Sequence, residues 1–572
     1  MTRTGMTTSV TCSRPGMDRR SFVGFFSAAG LGGTLLPGVL WAQAQEQGIV
    51  TTAMIAEAEK IAGLEFAEEE RAEMVRGLDQ NARAWDQLRE LEIPNGVHPA
   101  LIFDPVPAGM RLPTERRAAR LGPAPTVERP ADLEDVAFWS VRQLGELIRT
   151  GQVSSAELTE MYLGRIDTHG PTLESVITVT RDRALDQAMR ADREIAAGRY
   201  RGPLHGIPWG AKDLLAVRGY RTTWGAAPYE QQMIDMDATV VERLDTAGAV
   251  LVAKLTLGAL AQGDVWYSGR TRNPWNLEQG SSGSSAGSAS SVVAGLCGFT
   301  IGTETLGSIV SPATRCGATG LRPTFGRVSR HGAMALSWSM DKIGPLCRTV
   351  EDCALVFDAI RGPDGHDPTI RDVPFNWDAT LSPSRLRIGY LRAAFESERN
   401  GREFDDTSIE VLRGMGIDLI AVEWPDQYPV AALRPILTAE SAAAFDDLTR
   451  SGRDSMMEET SSWPNTFRTA RLIPAVEYIQ ANRVRTMLME SAHAALSDVD
   501  VLVSPSFGND TLLLTNLTGH PCVVLPNGFR EDGTPVSLSF IGRLFGEAEL
   551  LAVAKAYQDA TNFHTRRPPH FT

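Results

Sequence analysis

The chain has 572 residues, 43% hydrophobic and 22% charged, which is ordinary usage for a folded globular protein. Its formal net charge of −14 argues against broad binding to nucleic acids or anionic membranes, because those partners need clustered Lys and Arg. The six cysteines form no C-x-x-C pair and no Cys/His cluster at zinc-ligand spacing. A structural metal site and a disulfide framework are therefore not expected.

The N-terminus has the pattern of an export signal. Arg19-Arg20-Ser21-Phe22-Val23 precedes an apolar, glycine-rich run from Gly24 to Leu40, and the small-x-small sequence Ala42-Gln43-Ala44 follows. A membrane anchor is the alternative, but the run is short and is interrupted by two glycines and Pro37. We predict a twin-arginine signal peptide at residues 1–44 and a periplasmic or secreted protein.

Three further regions follow the predicted signal. Residues 51–92 are rich in Ala, Glu, Arg and Leu with helical spacing of the apolar positions, which predicts a helical extension over residues 45–103. Residues 104–135 carry repeated Pro and Arg and are predicted to be a connector. The main domain is predicted to span residues 136–572.

Helical and strand-like segments alternate through the main domain. Ser154 and Glu157 have the spacing of a capping box before an amphipathic helix. Short apolar runs alternate with helical segments, which predicts an α/β fold with a central mixed, twisted β-sheet covered by α-helices on both faces. The runs are residues 207–211, 250–253, 297–301, 387–391, 501–504, 522–525 and 538–541.

Two glycine-rich segments are the most unusual part of the sequence. Residues 281–291 contain only Gly, Ser and Ala, a composition more typical of a flexible linker, yet they run directly into an apolar stretch in mid-domain. A second turn follows at Gly302-Thr303-Glu304-Thr305-Leu306-Gly307-Ser308-Ile309. Successive N–H groups in such a turn can converge on an anion, as the tetrahedral oxyanion of acyl transfer requires.

Several ordered segments together resemble the amidase signature family. Similarity extends over about residues 136–562 and is weak from 365 to 500. The segments are Gly202-Pro203-Leu204-His205-Gly206-Ile207-Pro208, Ala211-Lys212-Asp213, Gly283-Ser284-Ser285-Ala286-Gly287-Ser288, Gly302 to Ile309, Gly317 to Ser329 and Ile343 to Asp352.

The resemblance implies a Ser-Ser-Lys triad of Lys212, Ser284 and Ser308, in which Ser308 lies 24 positions after Ser284. Ser308 would be the nucleophile, Lys212 the base and Ser284 the proton relay between them. A serine hydroxyl needs an unprotonated base, and burial can lower the pKa of a lysine enough for that role. No metal and no cofactor are implied.

The resemblance also implies an oxyanion hole made by the backbone N–H groups of Thr305, Leu306, Gly307 and Ser308, and a cis peptide bond before Ser284. Many relatives have Asp-Thr-Gly-Gly-Ser where this chain has Glu304-Thr305-Leu306-Gly307-Ser308. A leucine at 306 would be strained if that position required a positive φ.

The remaining polar and aromatic residues of these segments receive supporting roles. Asp213 and Asp341 are expected to hold loops, and His205 is expected to be structural, which argues against a Ser-His-Asp mechanism. Four aromatic residues could line an apolar substrate pocket or belong to the core: Trp224, Trp266, Tyr267 and Trp338.

The predicted function is hydrolysis of a small carboxamide, with no nucleic-acid partner, no stable membrane insertion after loss of the signal, and a monomer or homodimer as possible states. The alternative is the glutaminase (A) subunit of a tRNA-dependent amidotransferase, which resembles the chain through the same segments. A catalytically silent binding module is a third option, but all three triad side chains are present.

Overall fold

The computed structural model describes residues 50–572 except residues 90, 92–93 and 98–100. The predicted export signal therefore lies outside the described residues. The chain divides into two compact units, one ending at Pro94 and the other spanning Asn95–Thr572. None of the helices in these described ranges combines the length and the apolar character needed to cross a bilayer.

In its described residues the first unit contains two helices, α1 (Thr52–Ala62) and α2 (Glu68–Arg89). Thr51 caps α1, because its hydroxyl accepts the N–H of Met54 at 3.3 Å. Arg71 of α2 donates three hydrogen bonds to the carboxylate of Glu59 of α1, at 2.9, 3.2 and 2.8 Å. This ion pair ties the two helices of the unit together.

The second unit alternates helices and strands, as the sequence pattern predicts. Residues 104–132 form no helix or strand and contain one isolated β-bridge, at Arg120. The helices of the second unit are α3 (Val141–Arg149), α4 (Ser155–Leu173), α5 (Arg181–Ala196), α6 (Thr239–Thr246), α7 (Ala286–Val293), α8 (Val310–Cys316), α9 (Val350–Ile360), α10 (Arg392–Glu396), α11 (Arg402–Gly414), α12 (Pro435–Ala444), α13 (Asp446–Arg450), α14 (Trp463–Ala470), α15 (Ala475–Ala495), α16 (Thr511–Thr518) and α17 (Glu547–Thr561).

The described residues of this unit form fifteen strands, four of them in two small hairpin-like pairs. The strands are β1 (Val176–Val179), β2 (Pro208–Lys212), β3 (Val250–Leu255), β4 (Val265–Trp266), β5 (Gly269–Arg270), β6 (Arg272–Asn273), β7 (Asn276–Gly280), β8 (Phe299–Glu304), β9 (Thr319–Arg322), β10 (Lys342–Cys347), β11 (Ile388–Leu391), β12 (Leu419–Val422), β13 (Val501–Pro505), β14 (Cys522–Phe529) and β15 (Pro535–Gly542).

Eleven of these strands form one sheet with the order β1-β3-β2-β8-β10-β9-β14-β15-β13-β11-β12. The pairs β2/β3, β2/β8, β11/β12 and β11/β13 are parallel, and the other neighbours are antiparallel. The predicted α/β fold with a large mixed sheet is therefore confirmed.

Both faces of the sheet are covered. Successive side chains of a strand point to opposite faces. Val501 and Val503 of β13 pack into the largest hydrophobic cluster, whereas Leu502 between them packs into a second cluster with residues of α7 and α8. Each face of the sheet thus has its own apolar layer.

The parallel pairing of β2 with β8 positions the residues of interest. Trp209 pairs with Phe299, and Ala211 pairs with Ile301. Because the two strands are parallel, their carboxyl ends lie at the same edge of the sheet. The residue that ends β2, Lys212, therefore lies beside the end of β8 and the turn that follows it.

Candidate active site

Lys212 is fully buried at the end of β2 and is surrounded by hydroxyl groups. Its Nζ lies 2.8 Å from Ser284 Oγ, 3.1 Å from Ser285 Oγ and 2.9 Å from Thr303 Oγ1. Among the ion pairs of the described residues, none involves Lys212. An ammonium group in this position would have no counter-charge in contact.

The hydrogen bonds around Lys212 fit an uncharged amine. Ser285 donates its hydroxyl to Thr303 O at 3.0 Å, so its oxygen accepts one N–H of Lys212. Thr303 Oγ1 accepts the second N–H. A neutral amine has two N–H donors and one lone pair, which leaves the lone pair for the hydroxyl of Ser284. An uncharged Lys212 could thus accept a proton from Ser284, whereas an ammonium group would donate to all three hydroxyls.

Burial lowers the pKa of Lys212 well below its ordinary value, and the more distant charges of Asp341 and Glu304 oppose this shift without reversing it. Lys254, the neighbouring buried lysine on β3, is different. Its Nζ lies 2.7 Å from Asp213 Oδ1 in a fully buried ion pair, and this carboxylate opposes the effect of burial on the pKa of Lys254.

A cis peptide bond joins Gly283 to Ser284, as the resemblance implies. The preceding backbone is also unusual, because Ser282 has a φ of 59°. Gly283 has no room for a side chain, since an added Cβ would lie 1.8 Å from Gly263 O. Helix α7 begins directly after this segment, with Ser285 as its N-cap residue.

The turn after β8 presents unused backbone donors. In the described part of the chain, the N–H groups of residues 305–308 have no hydrogen-bond acceptor, whereas those of Ile309 and Val310 donate to Glu304 Oε2 at 2.8 and 3.0 Å. Four successive free donors beside a serine can stabilise an oxyanion.

The positive φ in this turn falls on Gly307, at 85°, and not on Leu306. Leu306 instead packs its side chain against an apolar cluster that includes Met340, Leu513 and Leu514. The strain considered for a leucine at this position therefore does not arise, because glycine occupies the position that needs the left-handed conformation.

The buried carboxylate of Glu304 holds the turn in place. Its Oε1 lies 2.7 Å from Arg322 Nη1 in an ion pair with both side chains fully buried, and it also accepts the amide of Asn516 at 2.8 Å. Burial alone would raise the pKa of Glu304, but the Arg322 guanidinium and the backbone donors lower it to about 2. A permanently charged carboxylate thus holds the N-terminal end of α8.

The two aspartates predicted to hold loops do so. Asp213 accepts the N–H and the hydroxyl of Thr223 at 2.8 and 2.5 Å. Asp341 accepts the hydroxyl of Thr305 at 2.6 Å and the N–H of Leu336 at 2.8 Å. Asp341 thereby ties the glycine-rich turn to the loop before β10.

Ser308 is nearly buried, with 7% of its surface exposed. Its carbonyl accepts the N–H of Ser285 at 3.1 Å, which holds the two serine segments side by side. In the described chain its hydroxyl has no hydrogen-bond partner. The structure thus brings Lys212 and Ser284 into direct contact, whereas no hydrogen bond joins the Ser284 and Ser308 hydroxyls.

Other nucleophiles and bases lie in different surroundings. His205 is buried, and its Nδ1 accepts the N–H of Arg201 at 3.1 Å, so it bonds to none of the serines above. The five cysteines of the described chain are free and buried. No group of three or more potential metal ligands occurs among the described residues.

A small cavity of about 60 Å³ adjoins this arrangement, and Thr303 and Thr305 line one side of it. Trp338 and Leu336 also line it. Trp224 instead belongs to the main core, where its ring packs 4.6 Å from that of Tyr229. Trp266 and Tyr267 form an edge-to-face pair at 4.9 Å.

Comparison with known proteins identifies the family of this site. The family model described as Amidase matches residues 157–515, more than half of the chain. The chain belongs to the amidase family. The predicted resemblance is thereby confirmed, and with it the general class of enzymes that act on C–N bonds.

The amidase-family relatives include curated proteins named as the A subunit of glutamyl-tRNA(Gln) amidotransferase. The one from Roseiflexus castenholzii is 37% identical over 480 residues, covering 75% of this chain and 97% of that protein. The one from Acinetobacter baumannii is 32% identical over 491 residues, covering 76% and 98%.

Solved structures of the amidase family show the same architecture. The native peptide amidase from Stenotrophomonas maltophilia superimposes with a TM-score of 0.70 at 33% identity, covering 77% of this chain and 99% of that chain. A protein described in connection with an s-triazine catabolic enzyme superimposes with a TM-score of 0.68 at 29% identity, covering 73% and 98%.

Three residues of this site received no role from the sequence: Thr303, Arg322 and Asn516. Thr303 lies within the glycine-rich turn segment, so its position beside the lysine follows from the pairing of β2 with β8. Arg322 lies in a segment that carries the resemblance, but its ion pair with Glu304 depends on the tertiary fold. Asn516 lies on α16, where the sequence offers no signal.

Proposed function

We propose that the protein is a serine amidase, which hydrolyses a carboxamide C–N bond through an acyl-enzyme on Ser308. The observation that carries the proposal is the buried Lys212, which contacts Ser284 at 2.8 Å and has no carboxylate partner among the described residues. Such an amine can act as a base at neutral pH.

The proposed reaction begins when Ser308 Oγ attacks the substrate carbonyl carbon. Its proton passes to Ser284, whose own proton passes to the lone pair of Lys212. The hydrogen bond between Ser308 and Ser284 forms as the substrate seats, since catalytic hydrogen bonds often tighten only in the Michaelis complex. The free N–H groups of residues 305–308 stabilise the oxyanion.

Collapse of the tetrahedral intermediate requires protonation of the leaving nitrogen. Lys212, now an ammonium group without a counter-charge, returns its proton through Ser284 to that nitrogen, so the C–N bond breaks and an amine or ammonia leaves. Water then attacks the acyl-enzyme with the same relay, and the carboxylic acid is released. No external co-reactant other than water is needed.

The proposed substrate is a linear carboxamide. The peptide amidase structure supports this class, because this chain covers 99% of it at 33% identity. The curated relatives favour a second candidate, the glutaminase function of an amidotransferase. The two candidates differ in substrate and in dependence on partner subunits.

Substrate tests without any partner separate the two candidates. The purified chain is expected to release ammonia or amine from simple aryl and peptide-terminal amides at rates above those with free glutamine. Turnover of glutamine alone, dependent on added amidotransferase partner subunits, would assign the second function.

Ser308→Ala is expected to abolish both amide turnover and labelling by a fluorophosphonate probe, because it removes the nucleophile. Mass spectrometry of the labelled protein should place the adduct on the peptide that contains Ser308. Ser451→Ala, a change at an exposed serine, is the control and should leave both signals unchanged. A labelled Ser308→Ala protein would show that another residue is the nucleophile.

We also propose that the protein acts outside the cytoplasm, on the basis of the twin-arginine pattern at Arg19 and Arg20. Replacing both arginines with lysine in the full-length chain should leave the protein in the cytoplasm. Fractionation of cells with an antibody to the protein measures this, and unchanged delivery to the periplasm would contradict the proposal.

A further inference from the structure

A second cavity, of about 400 Å³, lies in the large unit away from the candidate active site. Its lining includes Arg348, Arg566 and Arg567, together with His564, Phe138 and Trp139. None of the lining residues is Asp or Glu. A cavity with three guanidinium groups and no carboxylate is unusual in a chain whose net charge is −14.

The three arginines have no carboxylate in contact. Among the ion pairs of the described residues, none includes Arg348, Arg566 or Arg567. Arg566 stacks its guanidinium 4.1 Å from the ring centroid of Phe529, and Arg567 lies 4.9 Å from that of Phe138. Both arginines are exposed, and the rings fix their guanidinium groups without neutralising them.

Arg348 forms the buried floor of the cavity, with 8% of its surface exposed. It donates five hydrogen bonds to four backbone carbonyls, including Val292 O at 2.7 Å and Trp139 O at 2.9 Å. These bonds satisfy its donors but leave its charge in place. Burial raises the pKa of Asp352 to about 6, and the positive charge of Arg348 has a smaller, opposite effect on that pKa. Asp352 does not line the cavity.

The cavity is separate from the catalytic groups. Val293, which ends α7, and Gly317, which follows the last residue of α8, both line it. The serines lie at the opposite ends of these helices, since Ser285 precedes α7 and Ser308 precedes α8. An eight-residue helix is about 12 Å long, so the cavity is roughly one helix length from the serines.

From this combination of volume, uncompensated guanidinium charge and aromatic walls we propose a binding site for a phosphate group. Arginine is the residue best suited to phosphate because its planar donors match two phosphate oxygens. Arg566 and Arg567 would hold the anion at the mouth of the cavity, and the charge of Arg348 would attract it from below. The cavity volume of about 400 Å³ and the aromatic side chains of Phe138 and Trp139 in its lining would accommodate an organic phosphate as well as the free ion.

Isothermal titration calorimetry of the full chain tests the site, with inorganic phosphate and phenyl phosphate as separate probes at constant ionic strength. The double variant Arg566→Gln/Arg567→Gln is expected to bind phosphate at least about tenfold more weakly than the unmodified protein. Arg348 is left in place, because its five hydrogen bonds hold the surrounding loops. The control is Arg193→Gln/Arg413→Gln, which removes the same charge from two exposed positions outside the cavity.

Tighter binding of phenyl phosphate would assign the site to an organic phosphate, and equal binding would assign it to the free ion; both results support the proposal. Failure of the unmodified protein to bind either probe would overturn it. An equal loss of affinity in the control variant would also overturn it, because net charge alone would then explain binding. Amide turnover plays no part in these readouts, so they are independent of the proposed catalytic function.

Discussion

Lys212→Met is expected to lower kcat/KM for amide hydrolysis by about 10²–10⁴-fold, the range typical of a lost general base. Methionine has a similar length, fills the buried site and cannot accept a proton. The folded protein should remain intact, because burial lowers the pKa of Lys212 well below that of an unfolded lysine, so burying this amine costs free energy that methionine does not incur. Steady-state kinetics and thermal unfolding measure the two effects.

Lys254→Met is the matched control, since Lys254 is also buried but forms an ion pair with Asp213 at 2.7 Å. Its removal leaves a buried carboxylate without its partner, which is expected to cost about 3–5 kcal/mol of stability. We therefore expect Lys212→Met to lower activity and Lys254→Met to lower the free energy of unfolding. Retained activity in Lys212→Met would exclude this lysine as the base.

Glu304→Gln is expected to destabilise the protein by about 3–5 kcal/mol and to reduce activity with it. The substitution leaves the fully buried guanidinium of Arg322 without its carboxylate, and an amide cannot replace every acceptor role of Glu304. Urea unfolding followed by circular dichroism measures the loss, and turnover measured below the unfolding transition shows the effect on the oxyanion turn.

The double variant Glu304→Gln/Arg322→Met is expected to recover part of the lost stability, because it no longer contains an uncompensated buried charge. The pH dependence gives an independent check. Since the pKa of Glu304 is lowered from 4.5 to about 2 in the folded protein, its stabilising contribution is present above pH 4.5 and is lost as the pH falls towards 2. A stability loss below about 1 kcal/mol in Glu304→Gln would show that the ion pair does not support the turn.

Seven strands of the sheet were predictable from short, mainly apolar runs in the sequence. All seven predicted runs overlap strands of the sheet, including β13 at Val501–Pro505 and β14 at Cys522–Phe529. The predicted runs did not include the central strands β9 (Thr319–Arg322), in which Leu321 is the one large apolar residue, and β10 (Lys342–Cys347), in which Gly344-Pro345 separates the apolar residues. Their place in the sheet comes from burial against α9 and from pairing with neighbours, which a local pattern does not contain.

Local capping was also predictable. Ser154 and Glu157 form both hydrogen bonds of a capping box at the start of α4. Helices α12 to α14, in contrast, were not predicted. They lie in the region where the resemblance is weak. Phe445, which lies between α12 and α13, and Phe467 of α14 pack in the main core, where the ring of Phe445 lies 5.9 Å from that of the distant Trp224.

Some residues of the candidate site were predictable from the sequence, and others were not. The resemblance predicted Lys212, Ser284 and Ser308, and the structure contains the contact between Lys212 and Ser284. The partners that tune these groups were not predictable, because Thr303 reaches the lysine only through sheet pairing and Arg322 reaches Glu304 only through a buried ion pair. The resemblance thus predicts which side chains react, whereas the charges that surround them depend on the folded interior.

The protonation state of Lys212 is the property on which the catalytic mechanism depends, and the composition makes it measurable. The chain contains only five lysines, Lys60, Lys212, Lys254, Lys342 and Lys555. Selective ¹³C and ¹⁵N labelling of lysine, with Lys212→Met to assign the signal, would follow the Cε and Nζ chemical shifts of Lys212 by NMR across pH. A neutral amine at pH 7–8 is the predicted result; an ammonium shift that persists to about pH 10, as for an unperturbed lysine, would contradict it.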